Sequence, residues 1–166
     1  MNPMREIRIE KVVVNIGVGN DQNKLERAKK LLESLSGKKC LVTKTTSRTT
    51  FGMPKGKPIG VKITLRKKDA IEILKRFLET KDNRLSPRCF DNDGNFSFGI
   101  HEHIDIPGVK YDPKIGIMGM DVCVSLERPG YRIKRKKLSK KIGKKHRIIK
   151  DEAIEFMKKN FGVEVV

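Results

Sequence analysis

From Ile7 to Val18 the chain reads IRIEKVVVNIGV, a run in which β-branched apolar residues alternate loosely with polar ones. Period-two alternation is the mark of a strand buried on one side, so this segment predicts a strand. Gly19-Asn20-Asp21 interrupts it, and Asp21 is a residue type that caps helices. Leu25, Ala28, Leu31, Leu32 and Leu35 then recur at helical spacing and stop at Gly37, which predicts a helix closed by a left-handed glycine. Residues 40–46 are β-branched and predict a second strand. Ile59 to Arg66 predicts a third, with Val61, Ile63 and Leu65 on one face and Lys62, Thr64 and Arg66 on the other.

A second helix is expected behind Asp69, with Ala70, Ile73, Leu74, Phe77 and Leu78 at spacings of three and four. Gly94 to Ile100 predicts a fourth strand carrying Phe96 and Phe98 on one face, and Ile117 to Leu126 a fifth. A last helix points Ala153, Ile154, Met157 and Phe161 inward and ends at Gly162. The order is β-α-β-β-α-β-β-α. Two strand pairs are joined without a helix, which favours antiparallel pairing. The expected class is α+β: a single antiparallel sheet with helices packed on one face and the other face free. One domain, residues 1–166, carries all of it.

Charge changes the picture most. The 166 residues hold 38 Lys and Arg against 20 Asp and Glu, a net of +18. Residues 1–70 contribute +11, residues 71–127 contribute −3, and residues 151–166 contribute −2. Residues 128–150 contribute +12 with no acidic residue among them. Heat-adapted surfaces mix both signs, so a segment of one sign points to a polyanionic partner, and RNA is the first to consider. The apolar fraction is only 37% and there is no Trp, which predicts a modest core. The 128–150 segment is therefore expected to be a basic arm, disordered when free and dispensable for the fold. No apolar run is long enough to cross a bilayer, and the N-terminus lacks an apolar leader, which argues against export. Cys40, Cys89 and Cys123 are odd in number and widely spaced, as expected of reduced thiols in the cytosol.

Several segments carry candidate chemistry. NIGVGND at Asn15–Asp21 begins like a dinucleotide-binding turn, but Gln22 stands where a third glycine belongs. The plainer reading is that Gly17 and Gly19 end a strand tightly and bring backbone N–H groups towards a phosphate. GMPKGKP at Gly52–Pro58 is one residue short of a nucleotide-binding loop, and Pro58 stands where a magnesium-binding hydroxyl belongs. It reads instead as a basic finger. Its Lys55 and Lys57 reach phosphates, and Phe51 or Met53 rests on a sugar or base. His101, His103 and Asp105 have the spacing of a metal site, but only Cys123 offers a further ligand, and ordinary hydrogen bonding near a turn is the simpler account. No activated Ser or Cys and no carboxylate pair stands out, so no catalytic residue, metal or cofactor is assigned. The basic arm lacks the apolar stripe of a membrane-lying helix, which favours RNA over a lipid surface.

KVVVNIGVG at Lys11–Gly19, KPIGVKITLR at Lys57–Arg66, GNFSFGIHEHIDIPGVKYDP at Gly94–Pro113 and GIMGMDVCVSLERPGYR at Gly116–Arg132 together resemble the large-subunit ribosomal protein L-five family. The arm and the closing EAIEFMKKNFGVEV resemble its archaeal form. The resemblance implies a cytoplasmic, non-catalytic protein of the large subunit's central protuberance. Members hold 5S rRNA against large-subunit rRNA, touch peptidyl-site tRNA through a loop, and help bridge to a small-subunit protein beside neighbouring ribosomal proteins. Carried onto this chain, the 5S rRNA contact is Asn15, Gly17 and Gly19, with Lys44, Lys62, Thr64 and Arg66 beside them. The tRNA loop is Thr46–Pro58, with Arg48, Phe51, Met53, Lys55 and Lys57. It has fewer lysines than the archaeal pattern and lacks an Ile-Pro before the Phe. The arm's contacts to rRNA are Arg132, Lys134, Arg135, Lys136, Lys137, Lys140, Lys141, Lys144, Lys145 and Arg147. Two rivals are an RNA-modifying enzyme, which would need a catalytic constellation, and a binder of membranes or acidic proteins, which liposome flotation would detect.

Overall fold

A computed structural model describes residues 2–48, 50 and 52–166. In chain order the elements are β1 (Arg8–Gly17), α1 (Gln22–Ser36), β2 (Leu41–Lys44), β3 (Pro58–Leu65), α2 (Lys67–Glu79), β4 (Arg84–Leu85), β5 (Phe96–Ile100), β6 (Met120–Glu127), α3 (Lys150–Phe161) and β7 (Glu164–Val165). Five strands form one sheet in the order β2-β3-β1-β6-β5. The class is α+β, a mainly antiparallel sheet with three helices, as the hydrophobic pattern predicts.

The expectation of a single sheet needs one correction. β4 and β7 pair in parallel as a separate ribbon, Arg84 opposite Glu164 and Leu85 opposite Val165. Two-residue strands have no periodicity to detect. Their pairing joins segments about eighty residues apart through backbone bonds such as Glu164 N–H to Asn83 O at 2.8 Å.

Local chemistry sets the element ends. Asp21 Oδ1 accepts the N–H groups of Asn23 at 3.0 Å and Lys24 at 3.2 Å and so starts α1. Gly37, at φ 64°, closes it by donating to Glu33 O at 2.8 Å. α2 buries the five residues its spacing predicts, Ala70, Ile73, Leu74, Phe77 and Leu78. Burying each large side chain of this kind stabilises the fold by about 1.5–3 kcal/mol.

Contacts divide the chain into two compact units. One comprises the chain up to Val12, Arg66–Phe98 and Cys123–Val166. Its core includes Phe77, Leu74 and Leu78 of α2, Met157 and Ala153 of α3, and Ile148, Leu126 and Phe96. Phe90, Phe96 and Phe98 stack in series with centroids 5.0 and 6.4 Å apart. The other unit comprises Val13–Leu65 and Gly99–Val122. There α1 packs on β3, and Leu31, Leu32, Val14, Ile16, Val61, Ile63 and Ile106 are buried. Gly60 is required at that position: a Cβ there would lie 2.7 Å from the carbonyl oxygen of Ile16. His103 is buried in this unit as well. It donates its N–H to Met118 O at 3.0 Å and accepts the Met118 N–H on Nδ1 at 3.4 Å, pinning the loop that follows β5.

Candidate nucleic-acid interface

In the unit built on α1, the sheet leaves one face open. β1 buries Val14 and Ile16, so Asn15 and Gly17 point the other way; Asn15 is half-buried and Gly17 exposed. β3 buries Val61 and Ile63, which turns Lys62 and Thr64 outward. β2 runs antiparallel to β3 with Leu41 opposite Lys62 and Thr43 opposite Gly60. Its register then slips, so Lys44 faces Pro58 instead of Ile59. Strict alternation would send Lys44 to the side of Val42. The extra residue belongs to β3, between Pro58 and Gly60, so β2 keeps its alternation and Lys44 stays on that side, exposed. Asn15, Gly17, Lys62 and Thr64 thus share one open face, and Lys44 stands on the edge strand beside it.

One sequence expectation changes. The N–H groups of Val18 and Gly19 both donate to Ile59 O at 3.0 Å, so the strand end does not offer them to a phosphate. Gly19 is needed for its φ of 74°. Arg66 lies in the other unit, and its Nη1 reaches Glu10 O at 3.4 Å and Glu10 Oε1 at 3.8 Å.

The loop between β2 and β3 is closed at its base by Thr45, which the sequence reading did not single out. Its hydroxyl donates to Pro54 O at 2.7 Å and accepts the Lys57 N–H at 3.1 Å. Its backbone pairs with Lys57 O and Gly56 N–H. A buried hydroxyl at the foot of a hairpin loop is the only signal that could have found it. Beyond Thr45, Arg48, Gly52 and Lys55 are exposed, while Met53 and Lys57 are half-buried. Phe51 lies outside the described residues.

The 128–150 segment is not a free arm. Arg128, 5% exposed, donates from Nη1 to His146 O at 3.4 Å and Arg147 O at 3.2 Å, and from Nη2 to Glu152 Oε1 at 2.8 Å. The Tyr131 hydroxyl donates to His146 O at 3.1 Å and accepts the buried Ile148 N–H at 3.0 Å. His146 Nε2 returns to Pro129 O at 2.9 Å. Both ends of the segment are therefore built into the core of this unit, where an arm free along its whole length was expected. Burial pushes the Tyr131 hydroxyl up, which keeps it a donor. Burial alone would push the Glu152 carboxyl up as well, but the Ile149 N–H and the Arg128 guanidinium outweigh it and hold the carboxyl below its usual range.

Between those ends, Arg132, Lys136, Lys137, Lys140, Lys141, Lys144, Lys145 and Arg147 have exposed side chains. Two predicted RNA contacts have internal partners. Arg135 pairs with Glu127 and, at 3.3 Å, with Glu10, and Lys134 Nζ sits 5.2 Å from the Tyr131 ring centroid. Sequence reasoning counted Arg128 as one more surface cation; nothing local marks it as buried.

Among the described residues no cluster of three His, Cys, Asp or Glu has a geometry that holds a metal. His101 is exposed and His103 buried, so the two do not converge. The Cys40 thiol is pushed up by burial and by the Glu33 carboxylate, which makes it a poor nucleophile. The groups that the interface presents are cations, amides and hydroxyls on fixed backbone.

Comparison with known proteins places this architecture. Residues 2–50 match the family described as Ribosomal protein L5, and residues 58–160 match the family described as the C-terminus of ribosomal L5 proteins. The large ribosomal subunit protein uL5 of Cenarchaeum symbiosum is 51% identical over 165 residues, covering 98% of each chain. That of Sulfolobus acidocaldarius is 51% identical over 167 residues, 99% of this chain and 94% of its own. That of Methanosphaera stadtmanae is 48% identical over 169 residues, 99% of both. With two family matches that together span most of the chain and about half of its residues identical to such relatives over nearly its full length, the chain belongs to the ribosomal protein L5 family, structural and non-enzymatic proteins of the large subunit of the cytoplasmic ribosome.

Proposed function

We propose that this chain is a structural component of the large ribosomal subunit that binds 5S rRNA in the central protuberance and holds it against large-subunit rRNA. One observation carries the reading: a loop of exposed lysines and arginines with no acidic residue between 128 and 150, fixed at both ends. Such a surface gains free energy by neutralising phosphates and releasing their counterions. The open sheet face adds selectivity. Asn15 and Thr64 carry donors and acceptors on rigid strands, Lys62 flanks them, and Lys44 stands on the neighbouring edge strand.

Gly17 supports the same face. Its φ is not in the left-handed region, and a Cβ there would meet nothing within 4 Å. The chain's own packing does not demand glycine, whereas close approach of an RNA backbone would. Gly17→Val is expected to leave the thermal midpoint unchanged and to weaken 5S rRNA binding by about fivefold, a clash of roughly 1 kcal/mol. Equal binding would remove Gly17 from the contact.

The hairpin loop from Thr46 to Pro58 is proposed to touch peptidyl-site tRNA through Arg48, Met53, Lys55 and Lys57, supported by their place beyond the Thr45 lock. Contacts to a small-subunit protein and to neighbouring ribosomal proteins belong to the same proposal. The decisive test is filter binding of the purified chain to 5S rRNA and to an arbitrary RNA of equal length in near-physiological salt. Preference for 5S rRNA is expected, and equal affinity would refute the reading.

A further inference from the structure

We infer that Arg128 and Tyr131, with His146 and Glu152, are positioning residues that hold the 132–145 loop in the shape in which its lysines meet ribosomal RNA. This rests on the RNA-binding reading above. None of the four needs to touch RNA. Three cross-ties join the two ends of the loop: the Arg128 guanidinium to the carbonyls of His146 and Arg147, the Tyr131 hydroxyl to His146 O and Ile148 N–H, and His146 Nε2 to Pro129 O. Glu152 completes the fork on Arg128, and its second oxygen accepts the Ile149 N–H at 3.1 Å.

The clasp is seated on the core. Ile148 is 1% exposed and lies so close to Gly94 that a Cβ there would come within 2.5 Å of it. Arg128 is an expensive way to hold a loop by stability alone, because a buried guanidinium must be desolvated and an apolar residue of similar volume often does as well. Its Nε is moreover the buried side-chain N or O atom that lacks a hydrogen-bond partner among the described residues. What the guanidinium supplies is direction: one rigid fork binds two carbonyls at the far end of the loop and one carboxylate on α3.

The reason to fix the ends is the charge between them. Like charges at this density repel and spread an untied chain. A spread loop must lose that freedom on binding, whereas a pre-formed one has already lost it on folding. The contacts inside the loop point the same way: Lys134 rests over the Tyr131 ring, and Lys140 N–H donates to Ile133 O at 3.2 Å.

This makes a distinctive prediction. The salt dependence of binding counts the phosphates neutralised, and affinity at fixed salt also registers how well the cations are arranged. Breaking the clasp removes no exposed cation, so affinity should fall while the slope of log K against log salt stays the same.

The test uses the full chain with 5S rRNA and large-subunit rRNA in parallel. It is read on the transcript that loses affinity when Lys140, Lys141, Lys144 and Lys145 are changed to Gln. Tyr131→Phe keeps the ring and its Lys134 contact but removes the hydroxyl. It should weaken binding by about five- to tenfold with an unchanged salt slope. Hydrogen exchange should quicken in 132–147 and stay slow in β1 and β3. Glu152→Gln, which preserves the fold should Tyr131→Phe unfold, should show the same pattern at about two- to threefold. Wild-type affinity in both variants, or a slope that falls with affinity, overturns the clasp while leaving RNA binding in place. If the four Lys→Gln changes weaken neither transcript, the loop does not bind RNA and both readings fall together.

Discussion

The open sheet face and the clasped basic loop hold cations by opposite means. On the sheet, Lys44 and Lys62 sit on a backbone fixed by the ladder between β2 and β3. In the loop, a dense set of cations rides on a backbone with few internal bonds, held mainly where Arg128, Tyr131 and His146 tie its ends. A few well-placed groups on rigid strands suit discrimination, and many cations on a tied loop suit affinity. The lesson is that charge density and charge placement are separate design problems, solved here by different kinds of backbone.

The comparison breaks most visibly if the loop's charge is removed. Changing Lys136, Lys137, Lys140, Lys141, Lys144 and Lys145 to Gln should lower rRNA affinity about a hundredfold or more and reduce the salt slope by about one per lost phosphate contact. Discrimination between 5S rRNA and arbitrary RNA should survive. The sheet face should behave in reverse. Lys44→Glu with Lys62→Glu is expected to weaken 5S rRNA binding about tenfold and to erode that discrimination, with little change of slope. A steep slope change there would mean that the face is merely more of the same positive surface.

Two deletions separate the loop's tip from its ends. Removing 136–143 spares the clasp and should leave the thermal midpoint within a degree or two. Extending the cut to 134–147 takes away the carbonyls that Arg128 binds and the partner of Tyr131, and should lower the midpoint by roughly 10 °C or more. Equal midpoints would show that the ends are not part of the core. The smallest effect is on acidification. The folded chain holds the Glu152 carboxyl below its usual range, so its stabilisation is complete above the unfolded value and is lost as pH falls through the folded one. Melting curves should drop below the ordinary glutamate range slightly more steeply for wild type than for Glu152→Gln. The difference is small because the Glu152 side chain is 41% exposed and water screens the pair.

Much of this protein was legible in its sequence. Helical spacing located α1, with its caps, and α2, and alternation located β1, β3 and the Phe96–Phe98 face, because each of these signals is local and repeats within a few residues. The run of cations from 128 to 150 and the family-like segments needed no coordinates either.

Three features had to wait for the tertiary structure: the Ile59 carbonyl that occupies the Val18 and Gly19 amides, the Glu10 groups that Arg66 reaches, and the burial of Arg128. Each depends on partners on another element, fifteen to more than fifty residues away in most cases, and side-chain type alone does not say whether a guanidinium will meet solvent, a carboxylate or a pair of carbonyls. Periodicity reports which way a side chain leaves its own strand or helix; only packing decides what it meets there.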